Sequence, residues 1–137
     1  MPKIRGVLET SLYVSDLERS RTFYTQLFHF SVMLEDGRFC ALDVCGRQVL
    51  LLFRKEATGA LRTEGGLIPP HGADGGSLHV AFAIGQDDLD PWERRLARDH
   101  VEIESRVQWP RGGKSLYFRD PDGHLIELAS PGLWPIY

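Results

Sequence analysis

Near its end the chain reads KSLYFRDPDGHLIELA over residues 114–129, two alternating segments joined by Asp120-Pro121-Asp122-Gly123. Alternation of apolar and polar residues with a period of two is typical of half-buried strands. Asp, Pro and Gly are residues that favour tight turns. The stretch therefore predicts two strands, over 114–119 and 124–129, joined by a turn.

Two predicted strands, 124–129 and an earlier one over 78–84, each place a polar side chain on a face that is otherwise apolar. Neighbouring side chains of a strand point to opposite sides. Ile126 and Leu128 face the helix, so Glu127 lies on the other face, which it shares with Leu125 and Ala129. Over 78–84 the same alternation puts His79 on one face with the small residues Ala81 and Ala83. The helix-facing side carries Leu78, Val80, Phe82 and Ile84. We expect both polar groups on a concave face with room for a ligand.

A helix and a further strand complete a βαβββ unit over about 77–131. Asp88 is the predicted N-cap, and the helix carries Leu89, Trp92, Leu96 and Ala97 on one side. The second strand of the unit in chain order is predicted over 101–109.

The first half of the chain repeats this order over about 4–54. Its strand over 7–14 alternates Leu8, Leu12 and Val14 against Glu9, Ser11 and Tyr13. A helix of about three turns follows, beginning at a capping box from Ser15 to Glu18. Strands over 31–35, 38–44 and 47–53 complete the unit.

The linker over 55–76 has six glycines and neither helical nor strand periodicity. A four-stranded sheet with one helix leaves its other face uncovered. We therefore predict a single α+β domain over 1–137, in which the two tandem modules form a curved, mostly antiparallel eight-stranded sheet around a concave site. Exposed sheet edges also predict a homodimer.

Composition excludes several classes of partner. The net charge of −3 and pI near 5.9 argue against nucleic-acid binding. No apolar run approaches the roughly 20 residues that span a membrane, and the N-terminus lacks the apolar core of a signal peptide, so a cytoplasmic location is expected. Cys40 and Cys45 are expected to be reduced, buried packing residues.

Glu9, His79 and Glu127 are the ionisable residues predicted to share the concave face. Each one alone has an ordinary explanation: Glu9 as a solvated group, His79 as a hydrogen-bonded sheet residue and Glu127 as the partner of an arginine. A carboxylate on an apolar strand is costly unless it is paired or metal-bound, and Glu9 and His79 hold equivalent places in the repeat. Together they predict a site for one divalent metal.

The residues that carry these predictions resemble the vicinal oxygen chelate superfamily, which contains glyoxalase I, bleomycin-resistance proteins, fosfomycin-resistance enzymes, extradiol dioxygenases and methylmalonyl-CoA epimerase. The resemblance covers the segments from Leu8 to Leu17 with Phe23-Tyr24, from Leu78 to Phe82, and from Tyr117 to Leu128. Its most specific part is the Asp120-Pro121-Asp122-Gly123 turn before Glu127.

This resemblance implies metal ligands at Glu9, where members usually have His or Gln, and at His79 and Glu127. Glyoxalase I and the epimerase use a further ligand from the last strand of the first module; superposing Gly46 on Gly123 puts Leu50 at that place, so this ligand is missing. Extradiol dioxygenases normally use two histidines and one carboxylate. One imidazole and two carboxylates favour Mn²⁺, Fe²⁺, Ni²⁺ or Zn²⁺.

The function that the resemblance implies is that of a metal-dependent lyase, isomerase or dioxygenase acting on a small oxygen-rich substrate. Glu127 is the expected base, with Glu9 as the alternative, and Tyr117 is expected either to donate a hydrogen bond or to pack. His71 in the linker is either a fourth ligand or acid, or simply solvent-exposed. Ser11, Tyr13, Ser115, Arg111 and Lys114 are the expected substrate-binding residues, although the stretch around Arg111 also fits an exposed turn.

The alternative is a metal-free binding protein of the bleomycin-resistance type. Such a protein has no need for carboxylates that face the cavity, and this chain places two there. The sequence therefore favours the enzyme.

Overall fold

The structure is a computed structural model that describes residues 1–57, 59–71 and 76–137. It contains two compact units, Met1–Gly76 and Ser77–Tyr137, which are described one at a time. Thr58 and residues 72–75, both within the predicted linker, lie outside the described residues. In the part that is described, no helix is both long and apolar enough to cross a membrane.

The first unit contains a four-stranded sheet and one long helix. The elements are β1 (Glu9–Val14), α1 (Leu17–Phe28), β2 (Ser31–Glu35), β3 (Phe39–Val44) and β4 (Gln48–Arg54). The strand order is β1-β4-β3-β2; β1 runs parallel to β4, and the other two pairs are antiparallel. A short hairpin follows, made of β5 (Leu61–Thr63) and β6 (Gly66–Ile68).

The second unit repeats the first. Its elements are β7 (His79–Ala83), α2 (Leu89–Arg98), β8 (Ser105–Gln108), β9 (Lys114–Arg119) and β10 (Leu125–Ala129). The order β7-β10-β9-β8 has one parallel pair, β7 with β10, and two antiparallel pairs. The α+β class and the repeated βαβββ order are confirmed. The hydrogen bonds define two separate four-stranded sheets, so the single curved sheet of eight strands stays a prediction.

The predicted helix-facing sides of the strands form the core. Leu12 and Val14 of β1 and Ile126 and Leu128 of β10 are completely buried. Tyr24 and Leu27 of α1 are buried as well. Glu127 is an exception to this pattern because it is buried on the opposite face of β10, and the site is built around it.

Helix α1 is capped by Asp16 rather than by Ser15, so the predicted capping box is wrong. The Asp16 side chain accepts a hydrogen bond from the Arg19 backbone N–H at 3.0 Å. A carboxylate at this position also interacts favourably with the positive end of the helix dipole. Ser15 instead accepts a hydrogen bond from the Arg19 guanidinium at 3.0 Å.

The predicted absence of regular structure over 55–76 is wrong in two places. A 3₁₀ turn spans Lys55–Ala57, and Thr63 pairs with Gly66 across a two-residue turn. The Thr63 hydroxyl donates to the Gly66 carbonyl at 3.0 Å and closes the hairpin. The signal for this turn was the Gly65-Gly66 pair, since Gly66 has a φ of 147°, which glycine tolerates.

The two cysteines differ in environment. Cys40 is buried on β3, and burial, followed by the nearby Glu35 carboxylate, raises the pKa of its thiol to about 11. Cys45 is exposed and follows the end of β3 with φ of 58°. The prediction that both are buried is therefore wrong for Cys45, because the chain leaves the sheet there to turn.

Candidate functional site

The candidate site of the second unit is centred on Glu127, in the middle of β10. Glu127 is 4% exposed, and its neighbours across the sheet are Ala81 of β7 and Tyr117 of β9. Strand β10 lies between β7 and β9, which explains the burial. A carboxylate in such a place needs hydrogen-bond or charge partners.

Both oxygens of Glu127 have a partner within the second unit. The Ser115 hydroxyl donates to Oε2 at 2.5 Å, and His79 Nε2 lies 3.1 Å from Oε1. His79 stands at the start of β7, with its side chain 49% exposed. The site therefore has a buried carboxylate and an accessible imidazole side by side.

The tautomer of His79 follows from its second hydrogen bond. His79 Nδ1 lies 3.0 Å from the Leu125 carbonyl oxygen, and a carbonyl only accepts, so Nδ1 carries the proton. In the neutral ring Nε2 then presents a lone pair to the lone pairs of Glu127 Oε1. That contact is favourable only when a proton or a bound cation lies between the two atoms. These two residues therefore fit a metal.

Tyr117 lies beside both groups. Its ring stacks against His79 with ring centroids 6.2 Å apart, and in the register of the sheet it is paired with Glu127. Burial raises the pKa of the Tyr117 phenol, and the negative charge of Glu127 raises it further. Tyr117 therefore keeps its proton at neutral pH and is a hydrogen-bond donor.

Sequence reasoning missed Trp109. Its indole N–H donates to the Ser115 hydroxyl oxygen at 2.9 Å, which connects it to Glu127 through one side chain. Trp109 precedes β9 and was read as part of a strand over 101–109, whereas β8 spans only Ser105–Gln108. The available signal was its position six residues before Ser115, at the start of a short glycine-containing turn.

The polar residues predicted near this turn do not all lie on the same face of strand β9. Ser115 and Tyr117 share the face of Glu127, whereas Lys114 alternates to the face of Leu116 and Phe118. Arg111 is exposed in the turn. We leave Lys114 out of the proposed site, because its side chain starts from the face opposite Glu127.

In the first unit, Glu9, Ser11 and Tyr13 share one face of β1. The sheet register pairs them with Val49, Leu51 and Phe53 of β4. In the second unit His79 pairs with Leu125, so Glu127 follows two residues later. The residue of the first unit that corresponds to Glu127 is thus Leu51, whereas the sequence superposition gave Leu50, which is buried on the helix-facing side. Leucine stands there under either register, so the further ligand remains missing.

His71 packs onto this same face of the first unit. Its Nδ1 lies 2.7 Å from the Tyr13 hydroxyl, and its ring meets Phe53 edge-on with centroids 4.6 Å apart. The linker histidine is thus in contact with Tyr13, one of the predicted substrate-binding residues. Its ring remains exposed, as the simpler of the two sequence interpretations expected.

Within the described parts of the chain, no cluster of three or more His, Cys, Asp or Glu side chains is placed to hold a metal ion. The second unit by itself brings together His79 and Glu127. Glu9 belongs to the first unit, and its part in a metal site stays a prediction.

Comparisons with known proteins agree with this fold. Metallothiol transferase FosB of Staphylococcus epidermidis is 32% identical over 127 residues, which is 92% of this chain and 82% of that protein. Glutathione transferase FosA of Serratia marcescens is 32% identical over 128 residues, 91% of this chain and 80% of its own.

A solved structure gives the same result. Lactoylglutathione lyase from Agrobacterium tumefaciens superposes with a TM-score of 0.87 at 32% identity, covering 98% of this chain and 99% of that one. The family profile described as Glyoxalase/Bleomycin resistance protein/Dioxygenase superfamily matches residues 6–128. On the strength of that match and of the repeated βαβββ units, the chain belongs to the glyoxalase/bleomycin resistance protein/dioxygenase superfamily.

Proposed function

We propose that this protein is a metal-dependent enzyme that uses a thiol, or a thiol conjugate, together with a small oxygen-rich substrate. The observation that carries the proposal is the pair of His79 and Glu127. A buried carboxylate oxygen lies 3.1 Å from an imidazole nitrogen whose proton is held on the other side of the ring. Metal-binding histidines usually have their other ring N–H held by a backbone carbonyl or a carboxylate, as the Leu125 carbonyl holds His79 Nδ1.

The proposed ligands are Glu9, His79 and Glu127. Imidazole and carboxylate ligands suit Mn²⁺, Fe²⁺, Ni²⁺ or Zn²⁺, and three protein ligands leave coordination positions open for a substrate. The metal would supply Lewis-acid stabilisation of negative charge on a substrate oxygen. The Leu125 carbonyl, which accepts from His79 Nδ1, fixes the orientation of the ring.

The other side chains supply binding and proton transfer in this proposal. Tyr117 keeps its proton and donates a hydrogen bond to the developing oxyanion. Glu127 is the candidate base. Ser11 and Tyr13 bind substrate on the other unit, and His71 orients the Tyr13 hydroxyl through their 2.7 Å hydrogen bond. Arg111 remains a proposed substrate contact, and the predicted homodimer belongs to the same proposal.

The names of the similar proteins support a thiol as a substrate. The two curated proteins are a metallothiol transferase and a glutathione transferase, and the solved structure is a lactoylglutathione lyase. All three names refer to a thiol or to a conjugate of one. A thiol takes part readily in two reactions that suit such a metal site, the opening of an epoxide and, as a thiol adduct, proton abstraction beside a carbonyl.

The first test is of metal and thiol together. We expect protein purified without chelator to contain a stoichiometric divalent metal. With Mn²⁺ restored after chelation, the protein should consume glutathione, or another small thiol, when given a small epoxide, or should convert the adduct of methylglyoxal and a thiol. Chelation should abolish that turnover. Thiol-independent turnover of a catechol would contradict the thiol proposal, and stoichiometric ligand binding without any metal would support a binding protein instead.

The second test concerns Glu9. Replacing Glu9 by alanine should weaken Mn²⁺ binding at least about tenfold. Loss of a residue that only hydrogen-bonds to a metal ligand weakens metal binding by about that factor, and loss of a ligand itself should weaken it at least as much. Glu9→Gln should keep part of that affinity, since its amide oxygen still coordinates. Glu18→Ala, at an exposed position of α1, is the matched control and should leave the affinity unchanged. Equal Mn²⁺ affinity for Glu9→Ala and wild type would remove Glu9 from the site.

A further inference from the structure

A continuous set of hydrogen bonds runs from Trp109 to His79 across the face of the second unit. Trp109 Nε1 lies 2.9 Å from Ser115 Oγ, Ser115 Oγ lies 2.5 Å from Glu127 Oε2, and Glu127 Oε1 lies 3.1 Å from His79 Nε2. Ser115 is 1% exposed and Glu127 is 4% exposed. Hydrogen bonds in such a water-poor place are stronger than those at the surface.

Chemistry fixes the direction of the first two bonds. An indole N–H only donates, so the Ser115 oxygen accepts from Trp109. The single proton of that hydroxyl then goes to Glu127 Oε2. A distance of 2.5 Å falls in the range of hydrogen bonds from a hydroxyl to an ionised carboxylate. Oε2 is therefore engaged, and Oε1 is the oxygen that faces His79.

The backbone of Trp109 is fixed by hydrogen bonds within its turn. Its backbone N–H donates to the Gly113 carbonyl at 2.8 Å, and its carbonyl accepts from the Gly112 N–H at 2.9 Å. Gly113 packs so closely against Gly132 that a Cβ on Gly113 would lie 2.6 Å from the Gly132 carbonyl carbon. The turn that carries the indole is thus fixed to the segment after β10, the strand that carries Glu127.

We propose that Trp109 is a positioning residue of the metal site: through the Ser115 hydroxyl, its indole N–H holds one oxygen of Glu127 and leaves the other for the metal. The proposal rests on the proposed function for the metal, but the hydrogen-bond relay exists without it. It also gives Ser115 a different role from the predicted one. The hydroxyl proton is committed to Glu127, so Ser115 positions the carboxylate rather than donating to substrate.

The first arm of the test needs no metal. In chelator-treated protein we follow the side-chain carboxyl carbon of Glu127 by NMR. Trp109→Phe, which keeps a ring and removes the N–H, should shift this resonance, and so should Ser115→Ala. Adding Trp109→Phe to Ser115→Ala should cause no further shift, because the relay is already broken. Trp92→Phe on α2 is the matched control and should leave the resonance in place.

The second arm measures Mn²⁺ affinity. Loss of an outer partner of a metal ligand weakens binding about 10- to 100-fold, so we expect about a tenfold loss for Trp109→Phe and no additional loss in the double variant beyond that of Ser115→Ala. An unmoved Glu127 resonance in Trp109→Phe, or additive effects in the double variant, would overturn the proposal. If the wild type binds no Mn²⁺, the proposed function fails, and the NMR arm still decides whether the relay acts on Glu127.

Discussion

Replacing Glu127 by glutamine should lower Mn²⁺ affinity by more than about 100-fold and should abolish turnover. Loss of a residue that only orients a ligand weakens metal binding by up to about 100-fold, and Glu127 is the proposed ligand itself. Glutamine keeps the size of the side chain and can still accept from Ser115 through its amide oxygen. The buried packing of β10 is therefore retained, and the change removes charge rather than shape.

The control for this variant is Glu93→Gln. Glu93 is a carboxylate of the same unit that pairs with Arg106 at 3.1 Å. Surface ion pairs contribute about 1 kcal/mol or less, so this variant should keep both metal and turnover. Titration of Mn²⁺ into both variants by calorimetry, together with their unfolding curves, separates loss of the site from loss of the fold. Unchanged Mn²⁺ affinity in Glu127→Gln would sink the metal proposal.

The parts of the fold that the sequence predicted are those in which one face of an element is apolar. The strand over 114–119 was predicted with the bounds that the structure has, because alternation marks a half-buried strand directly. The same alternation placed His79, Glu127 and Tyr117 on one face. Within the second unit, the positions of these three side chains were thus predictable from the period of two alone.

What the sequence could not give depends on distances between elements. The register of β1 against β4 makes Leu51 the counterpart of Glu127. This register is set by backbone pairing, and because residues 50, 51 and 52 are all leucine, the sequence does not show which of them takes that place. The contact between Trp109 and Ser115 depends on how the turn over 110–113 folds back. Its closeness to Gly132 is invisible in the sequence, since a glycine reads equally well as a turn residue or as a place of close packing.

Among the glycines that the structure describes, Gly132 is the one at which an added methyl group should cost the most stability. Its φ is +106°, and a Cβ there would occupy the space of the Gly113 amide nitrogen and lie 2.9 Å from the Arg111 carbonyl oxygen. Strain at such a φ contributes about 1–3 kcal/mol, and overpacking adds about 1–3 kcal/mol. Gly132→Ala should therefore lower the free energy of unfolding by about 4 kcal/mol, measured by urea denaturation.

Gly112→Ala separates these two contributions. Gly112 has a similar φ of +97°, but nothing lies within 4 Å of the place where its Cβ would be. This variant has the strain without the collision and should lose only the strain contribution of about 1–3 kcal/mol. Because the Gly113–Gly132 contact fixes the turn that carries Trp109, Gly132→Ala should also shift the Glu127 carboxyl resonance, and Gly112→Ala should shift it less. Equal losses of stability in the two variants would show that φ alone, and not close packing, requires glycine at 132.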